Sequence, residues 1–235
     1  MIFSIKKLTD LEREICLKTL SPKSLYALVG CAILNKESLS VVRMGDGERK
    51  ILEADINKPF TTFNKASDNW NVRLGVEGIS VSDPQKKIEI AGNNCTYFAP
   101  SISGISFPQY YLYNFFKPRP YYFDNFFVND WSKEMVQTLI EASDGVFIMH
   151  RDYQQIVDNF NTHYSFSKPV RFAGFPKNSW EDNDEAVAAA LHSGMQLVLF
   201  SAGPGGKIIG PEIAKSENKI VLDIGNTLIP WSEKK

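Results

Sequence analysis

Two carboxylates separated by a single glycine close the run Ser40-Val41-Val42-Arg43-Met44-Gly45-Asp46-Gly47-Glu48. Hard divalent cations prefer oxygen ligands, and magnesium or manganese commonly takes one or two carboxylates while keeping its other positions for phosphate oxygens. Asp46 and Glu48 are therefore candidate catalytic residues and candidate ligands for Mn2+ or Mg2+ held against a nucleotide diphosphate. A structural alternative stands beside this one: Asp46 caps the following helix and Glu48 occupies its first turn. Arg43 ends the same apolar run, and its planar fork of donors suits phosphate or carboxylate, including an ion pair with Asp46 or Glu48. Gly45 and Gly47 complete this candidate substrate-binding segment.

A second constellation is Ser201-Ala202-Gly203-Pro204-Gly205-Gly206-Lys207, directly after the apolar run Leu197 to Phe200. Small residues allow close backbone approach to a phosphate, so Gly203, Pro204, Gly205, Gly206 and Lys207 are candidate substrate-binding residues, with a tight structural turn as the alternative. The spacing is neither a Walker A loop nor Gly-x-Gly-x-x-Gly, because Ile208 takes the last position. A third candidate is Asp223, in Asp223-Ile224-Gly225-Asn226, suited to a ribose hydroxyl or to a turn. His150, Arg151 and Asp152 follow another apolar run and can reach the same edge of a parallel sheet. Asp152, Asp182, Asp184 and Asp223 are the candidates for a general base.

The elements that position these groups follow from periodicity. Ser21-Pro22 reads as a helix start, with Leu25, Leu28, Val29, Ala32 and Ile33 on one face. A strand to Met44 and a helical turn over Glu48 to Ala54 follow. From Lys58 to Asp130 no period is sustained, and the expectation is short strands, turns and loops. Within it, Phe107 to Trp131 concentrates aromatic rings, read mainly as core, with a sugar-stacking cleft or a membrane-facing surface as alternatives. Ser132 caps a helix bearing Val136, Leu139 and Ile140. Val146 to Met149, Val170 to Ala173, Leu197 to Phe200 and Ile220 to Ile224 read as strands. Helices fall at Tyr153 to Phe160, at Asp184 to His192 and around Ile213. This alternation predicts a Rossmann-like α/β fold, a largely parallel sheet flanked by helices, in one domain over residues 1–235.

Composition narrows the setting. The 235 residues are 43% hydrophobic and 23% charged, ordinary for a folded chain. With 26 basic against 27 acidic side chains there is no global footprint for nucleic acid. Cys16, Cys31 and Cys95 lack the spacing of a zinc or redox site, which points to a reducing, cytoplasmic setting. The amino terminus lacks the apolar core of a signal peptide, and no run reaches membrane-spanning length. Peripheral contact with a membrane is left open.

The segment ending Arg43-Met44-Gly45-Asp46-Gly47-Glu48 resembles the Arg-x-Gly-Asp-Gly-Glu segment of GT-D type bacterial glycosyltransferases. Leu197 to Lys207 resembles that family's strand and Gly-Pro loop, and Val221 to Gly225 followed by Trp231 resembles its closing Asp-Ile-Gly strand. The three segments occur in the family's order and span most of the chain. The family often continues Asp-Ile-Gly-His, where this chain has Asn226. The resemblance implies a metal-dependent transferase that takes a nucleotide sugar donor, often UDP-linked, and a glycan or glycoprotein acceptor in cell-surface glycan assembly. A different nucleotide-dependent transferase or phosphohydrolase, or a non-catalytic nucleotide-binding module, remains the alternative.

Overall fold

Short runs of β-branched and aliphatic residues, each followed by a polar break, set up parallel strands buried on both faces. The computed structural model describes residues 9–54, 80, 82–102, 115–175, 180–181 and 183–233, with backbone only at Asp46 and Asn226. Among the described residues the main sheet has six strands in the order β3-β2-β8-β7-β5-β6. They are β2 (Leu39–Met44), β3 (Tyr97–Pro100), β5 (Val146–His150), β6 (Val170–Gly174), β7 (Leu197–Ser201) and β8 (Ile220–Asp223), and every pairing is parallel. The expected Rossmann-like α/β architecture is thus the observed one. A separate two-residue parallel pair joins β1 (Thr19–Leu20) to β4 (Tyr122–Phe123).

Strand alternation sends successive side chains to opposite faces. Leu39, Val41, Val146, Ile148, Leu197, Leu199, Ile220 and Leu222 meet one layer of helices. That layer holds α2 (Pro22–Asn35), α6 (Lys133–Ala142), α7 (Tyr153–His163) and α10 (Leu228–Glu233), which follow the short α1 (Asp10–Leu17) and α5 (Phe127–Asp130) in the chain's numbering. Val42, Met44, Phe147, Met149, Val198, Phe200 and Val221 face the other layer, of α3 (Asp46–Leu52), α4 (Ser82–Asn94), α8 (Asn183–His192) and α9 (Ile209–Ile213). The crossovers β2 to β3 and β7 to β8 step one way behind the second layer. The crossover β5 to β6 steps the other way across the first, as a single crossover hand requires.

Local chemistry fixes the helix ends. The Ser21 side chain accepts from Ser24 N–H ahead of Pro22, and Ser132 accepts from Met135 N–H, both as the sequence predicts. Between Lys58 and Asp130 the short strands β3 and β4 fit the expectation of short strands, turns and loops, and helix α4 departs from it. Its buried face is only Pro84, Ile88, Ala91 and Gly92, too sparse to register as a period. Tertiary contacts hold it instead. The Arg119 guanidinium donates to the carbonyls of Gly92 (2.7 Å), Asn93 (3.0 Å) and Cys95 (3.0 Å), closing the helix's carboxyl end. At the other end, Gln85 Nε2 donates to the last carbonyls of α3 at Ile51 (3.0 Å) and Leu52 (3.2 Å).

Of the aromatic run, Phe116, Tyr122, Phe123, Phe127 and Trp131 are buried, while Phe115 and Phe126 are exposed. Residues 103–114, which carry the first of those rings, lie outside the described residues. Trp131 stacks on Trp231 at 6.1 Å between centroids and meets Tyr26 edge-on at 5.5 Å, so it joins α2 to the carboxyl-terminal helix. Among the described residues no helix is long and apolar enough to cross a membrane. Trp131→Ala is expected to cost about 3–5 kcal/mol by urea unfolding. The midpoint should fall with little change in slope.

Candidate functional site

Arg43, the acidic loop, the glycine-rich loop and Asp223 all come from the carboxyl ends of adjacent strands. From β2 the chain turns to one helix layer through α3, whereas from its neighbour β8 it turns to the other through α10. Neighbouring strands whose connections part in this way open the edge where α/β sheets take ligands.

Helix α3 begins with Gly45 as its N-cap and Asp46 at its first position. Gly45 has no side chain to cap with, so Glu48 reaches back and accepts the Gly45 N–H at 2.8 Å. The capping role considered for Asp46 therefore falls to Glu48 at the level of the cap position, and the Asp46 side chain lies outside the described residues. The other oxygen of Glu48 faces Lys207 Nζ at 3.3 Å. Lys207 Nζ in turn donates to Asp223 Oδ2 at 2.5 Å, and the same oxygen accepts the backbone N–H of Arg43 at 3.1 Å. Glu48 is 6% exposed, Lys207 7% and Asp223 1%.

Burial by itself would push the Lys207 ammonium down. Asp223 and Glu48 outweigh it and hold the group above its ordinary value, so it stays charged. The Arg43 guanidinium is shifted the other way, lowered by burial against the opposing pull of Asp223, Glu48 and Asp124. It donates through Nη1 to the Ile224 carbonyl, and its Nε is buried with no hydrogen-bond partner among the described residues. Gly225 lies beneath it at φ +60°, where a Cβ would fall 2.8 Å from Nη1. The left-handed backbone favours glycine there, and a larger residue would press on the guanidinium.

In the glycine-rich loop, Gly203 is exposed, Pro204 half-buried, and Gly205–Ile208 form a 3-10 turn. A Cβ on Gly206 would stand 2.0 Å from the Ala202 Cβ, so this glycine is demanded by packing. Asn183 at the start of α8 donates from Nδ2 to the Gly205 carbonyl at 3.1 Å and fixes the turn that aims Lys207 inward. Across the acidic loop, Asn125 donates from Nδ2 to the Met44 carbonyl at 3.1 Å, and its Oδ1 is buried with no hydrogen-bond partner among the described residues. Asn125 and Asn183 are the residues that sequence reasoning missed. An isolated asparagine between aromatics or before an acidic turn carries no periodic signal.

The remaining candidates lie farther along the edge. His150 ends β5, two strands beyond β8 in the sheet order. Asp152 is ion-paired to its neighbour Arg151 at 3.0 Å near the surface, and Asp184 stands in the first turn of α8. Asp182 lies outside the described residues, and Asp223 is committed to Lys207 and Arg43. Among the described residues no three His, Cys, Asp or Glu side chains gather as a metal centre.

No family model matches the sequence, and no curated protein matches it. Solved structures match its fold. A selenomethionine-substituted structure of domain of unknown function 1792 aligns with a TM-score of 0.60 and 16% identity, over 92% of this chain and 80% of that one. A protein described as a new glycosyltransferase (DUF1792) from Streptococcus sanguinis aligns with a TM-score of 0.59 and 16% identity, over 88% and 81%. A third, with a TM-score of 0.60 and 16% identity over 92% and 80%, is described as domain of unknown function 1792 with a distinct glycosyltransferase fold. The chain has that glycosyltransferase fold. Its sheet, helix layers and carboxyl-edge cluster are the framework on which any activity must be built.

His150 supplies a pH test of the edge. It is 2% exposed, its Nδ1 accepts the Asp152 N–H at 2.9 Å, and its Nε2 is buried with no hydrogen-bond partner among the described residues. Burial lowers its pKa below the ordinary 6.5, with Asp152 opposing the shift and Arg151 adding to it. A depressed folded value means the unfolded chain takes the proton first. The stability it contributes is therefore complete above about pH 6.5 and is lost as pH falls toward the folded value. His150→Asn, which keeps an acceptor for Asp152, should flatten this acid-side loss in urea midpoints. Equal slopes in both proteins would remove His150 as its source.

Proposed function

We propose that this chain, as one domain over 1–235, is a metal-dependent glycosyltransferase. It moves a sugar from a nucleotide-diphosphate sugar, uridine-linked, to a glycan or glycoprotein acceptor in cell-surface glycan assembly. The observation that carries the reading is the meeting of three distant segments at one sheet edge: Lys207 lies within ion-pair distance of both Glu48 and Asp223. The shared glycosyltransferase fold supports it.

The fit of a divalent cation turns on Glu48. One oxygen accepts the Gly45 N–H and the other faces Lys207, and each carboxylate oxygen retains a further lone pair. That capacity suits an ion held by one or two carboxylates together with phosphate oxygens, and falls short of an all-protein cage. Asp46 and Glu48 are the residues that would hold Mn2+ or Mg2+. The ion supplies positive charge against the diphosphate as it leaves. In this reading Arg43, Gly45, Gly47 and the segment Gly203 to Gly206 face the donor, and Lys207 acts from behind them through Glu48 and Asp223, where preorganised charge and backbone donors count most as negative charge develops. Asp223 positions Lys207 and the end of β2. The reading places the enzyme in the cytoplasm, in peripheral contact with the inner face of the membrane, with no nucleic acid partner.

Calorimetry against a panel of nucleotide sugars, with and without manganese, tests this directly. One donor should bind at least about tenfold more tightly with manganese, a difference of about 1.4 kcal/mol. Asp46→Asn and Glu48→Gln should abolish that gain and the transfer of sugar to acceptor. Donor binding indifferent to the metal and to both substitutions would contradict the proposal. Cleavage of the donor without transfer would mark a hydrolase instead.

A further inference from the structure

We infer that Lys207 is the resident counter-ion of Glu48 and Asp223, so that the site admits a divalent cation together with a nucleoside diphosphate and disfavours the bare cation. The inference rests on the donor-site reading above and adds an order of binding to it.

The geometry leaves Lys207 little freedom for an outward role. Its ammonium lies 2.5 Å from Asp223 Oδ2 and 3.3 Å from Glu48 Oε1 at 7% exposure, so its donors are directed at protein carboxylates. The turn that carries it cannot retreat easily. Gly206 is packed against Ala202, and Asn183 holds the Gly205 carbonyl at 3.1 Å. A cation approaching Glu48 finds one oxygen engaged by the Gly45 N–H and the other beside the ammonium. At such separations like charges repel strongly in a partly buried site.

The charge count sets the background. The described cluster holds the cations Arg43 and Lys207 against the anions Glu48, Asp223 and Asp124. Its formal sum is minus one, and Asp46 adds one carboxylate from the sequence. A bare dication therefore meets a modest net attraction, set against one close repulsion at the ligand oxygen itself. A cation carrying a diphosphate brings its own negative charge, which offsets the ammonium and engages Arg43 as well. Lys207 thus keeps the two buried carboxylates satisfied in the free protein and makes productive metal binding conditional on the nucleotide.

Titration of the full chain with manganese(II), followed by electron paramagnetic resonance of the free ion, reads this out without turnover. In the wild type, uridine diphosphate should tighten manganese binding at least about tenfold. Lys207→Met should bind manganese alone at least about tenfold more tightly than the wild type, because a unit charge close to the ligand oxygen is gone. Lys207→Arg, which keeps the charge, should resemble the wild type. Wild-type affinity for bare manganese equal to that with uridine diphosphate would overturn the inference, as would a folded Lys207→Met with unchanged or weaker manganese binding. The wild-type comparison decides even where Lys207→Met fails to fold. No manganese binding by any of the proteins, with or without nucleotide, would instead overturn the donor-site reading on which the inference rests.

Discussion

A buried ammonium shared by two buried carboxylates is the constraint around which this edge of the molecule is organised. Lys207, Glu48 and Asp223 come from three different strand ends, and none can be left alone at its depth without a large desolvation cost. Paired, they fix where three chain segments end relative to one another. Ion triads of this kind add little net stability compared with a well-packed apolar cluster, but removing one partner is expensive. Their effect is therefore to specify geometry: β2, β7 and β8 must finish at a common level for the charges to meet.

The surrounding packing follows from that requirement. Gly206 allows the turn after β7 to lie against Ala202, which points Lys207 inward. Gly225 allows the chain after β8 to pass beneath Arg43, whose backbone N–H is bound to the same Asp223 oxygen that receives Lys207. Glu48 links the triad to the start of α3 through Gly45, and Gln85 ties the far end of α3 to α4. Charge, glycine placement and helix docking thus converge on one edge, at strands whose connections leave toward opposite layers. Under the proposed function, the nucleotide sugar enters at this same edge.

Much of this was legible in the residues. Apolar runs bounded by polar breaks specify β2, β5, β7 and β8, and the caps at Ser21 and Ser132 lie where hydroxyl acceptors precede helical periods. The grouping of Asp46, Glu48, Lys207 and Asp223 at strand ends follows from a parallel sheet. Helix α4 was not legible, because its buried face is short and its ends are held by Arg119 and by contact with α3, both distant in sequence. Nor was the partner of Lys207. A lysine after a glycine-rich loop suggests a phosphate, and only the fold brings Glu48 and Asp223 within reach of it. Asn125 and Asn183 escaped for the same reason, since each acts on a backbone carbonyl of another segment.

The most direct measurement is a double-mutant cycle on Lys207→Met and Asp223→Leu, read by urea unfolding. Each single substitution should cost about 3–5 kcal/mol by stranding a buried charge. The double substitution should cost much less than their sum, with a coupling of about 2 kcal/mol or more. Additivity within about 0.5 kcal/mol would show that the two side chains do not depend on one another and would contradict the account.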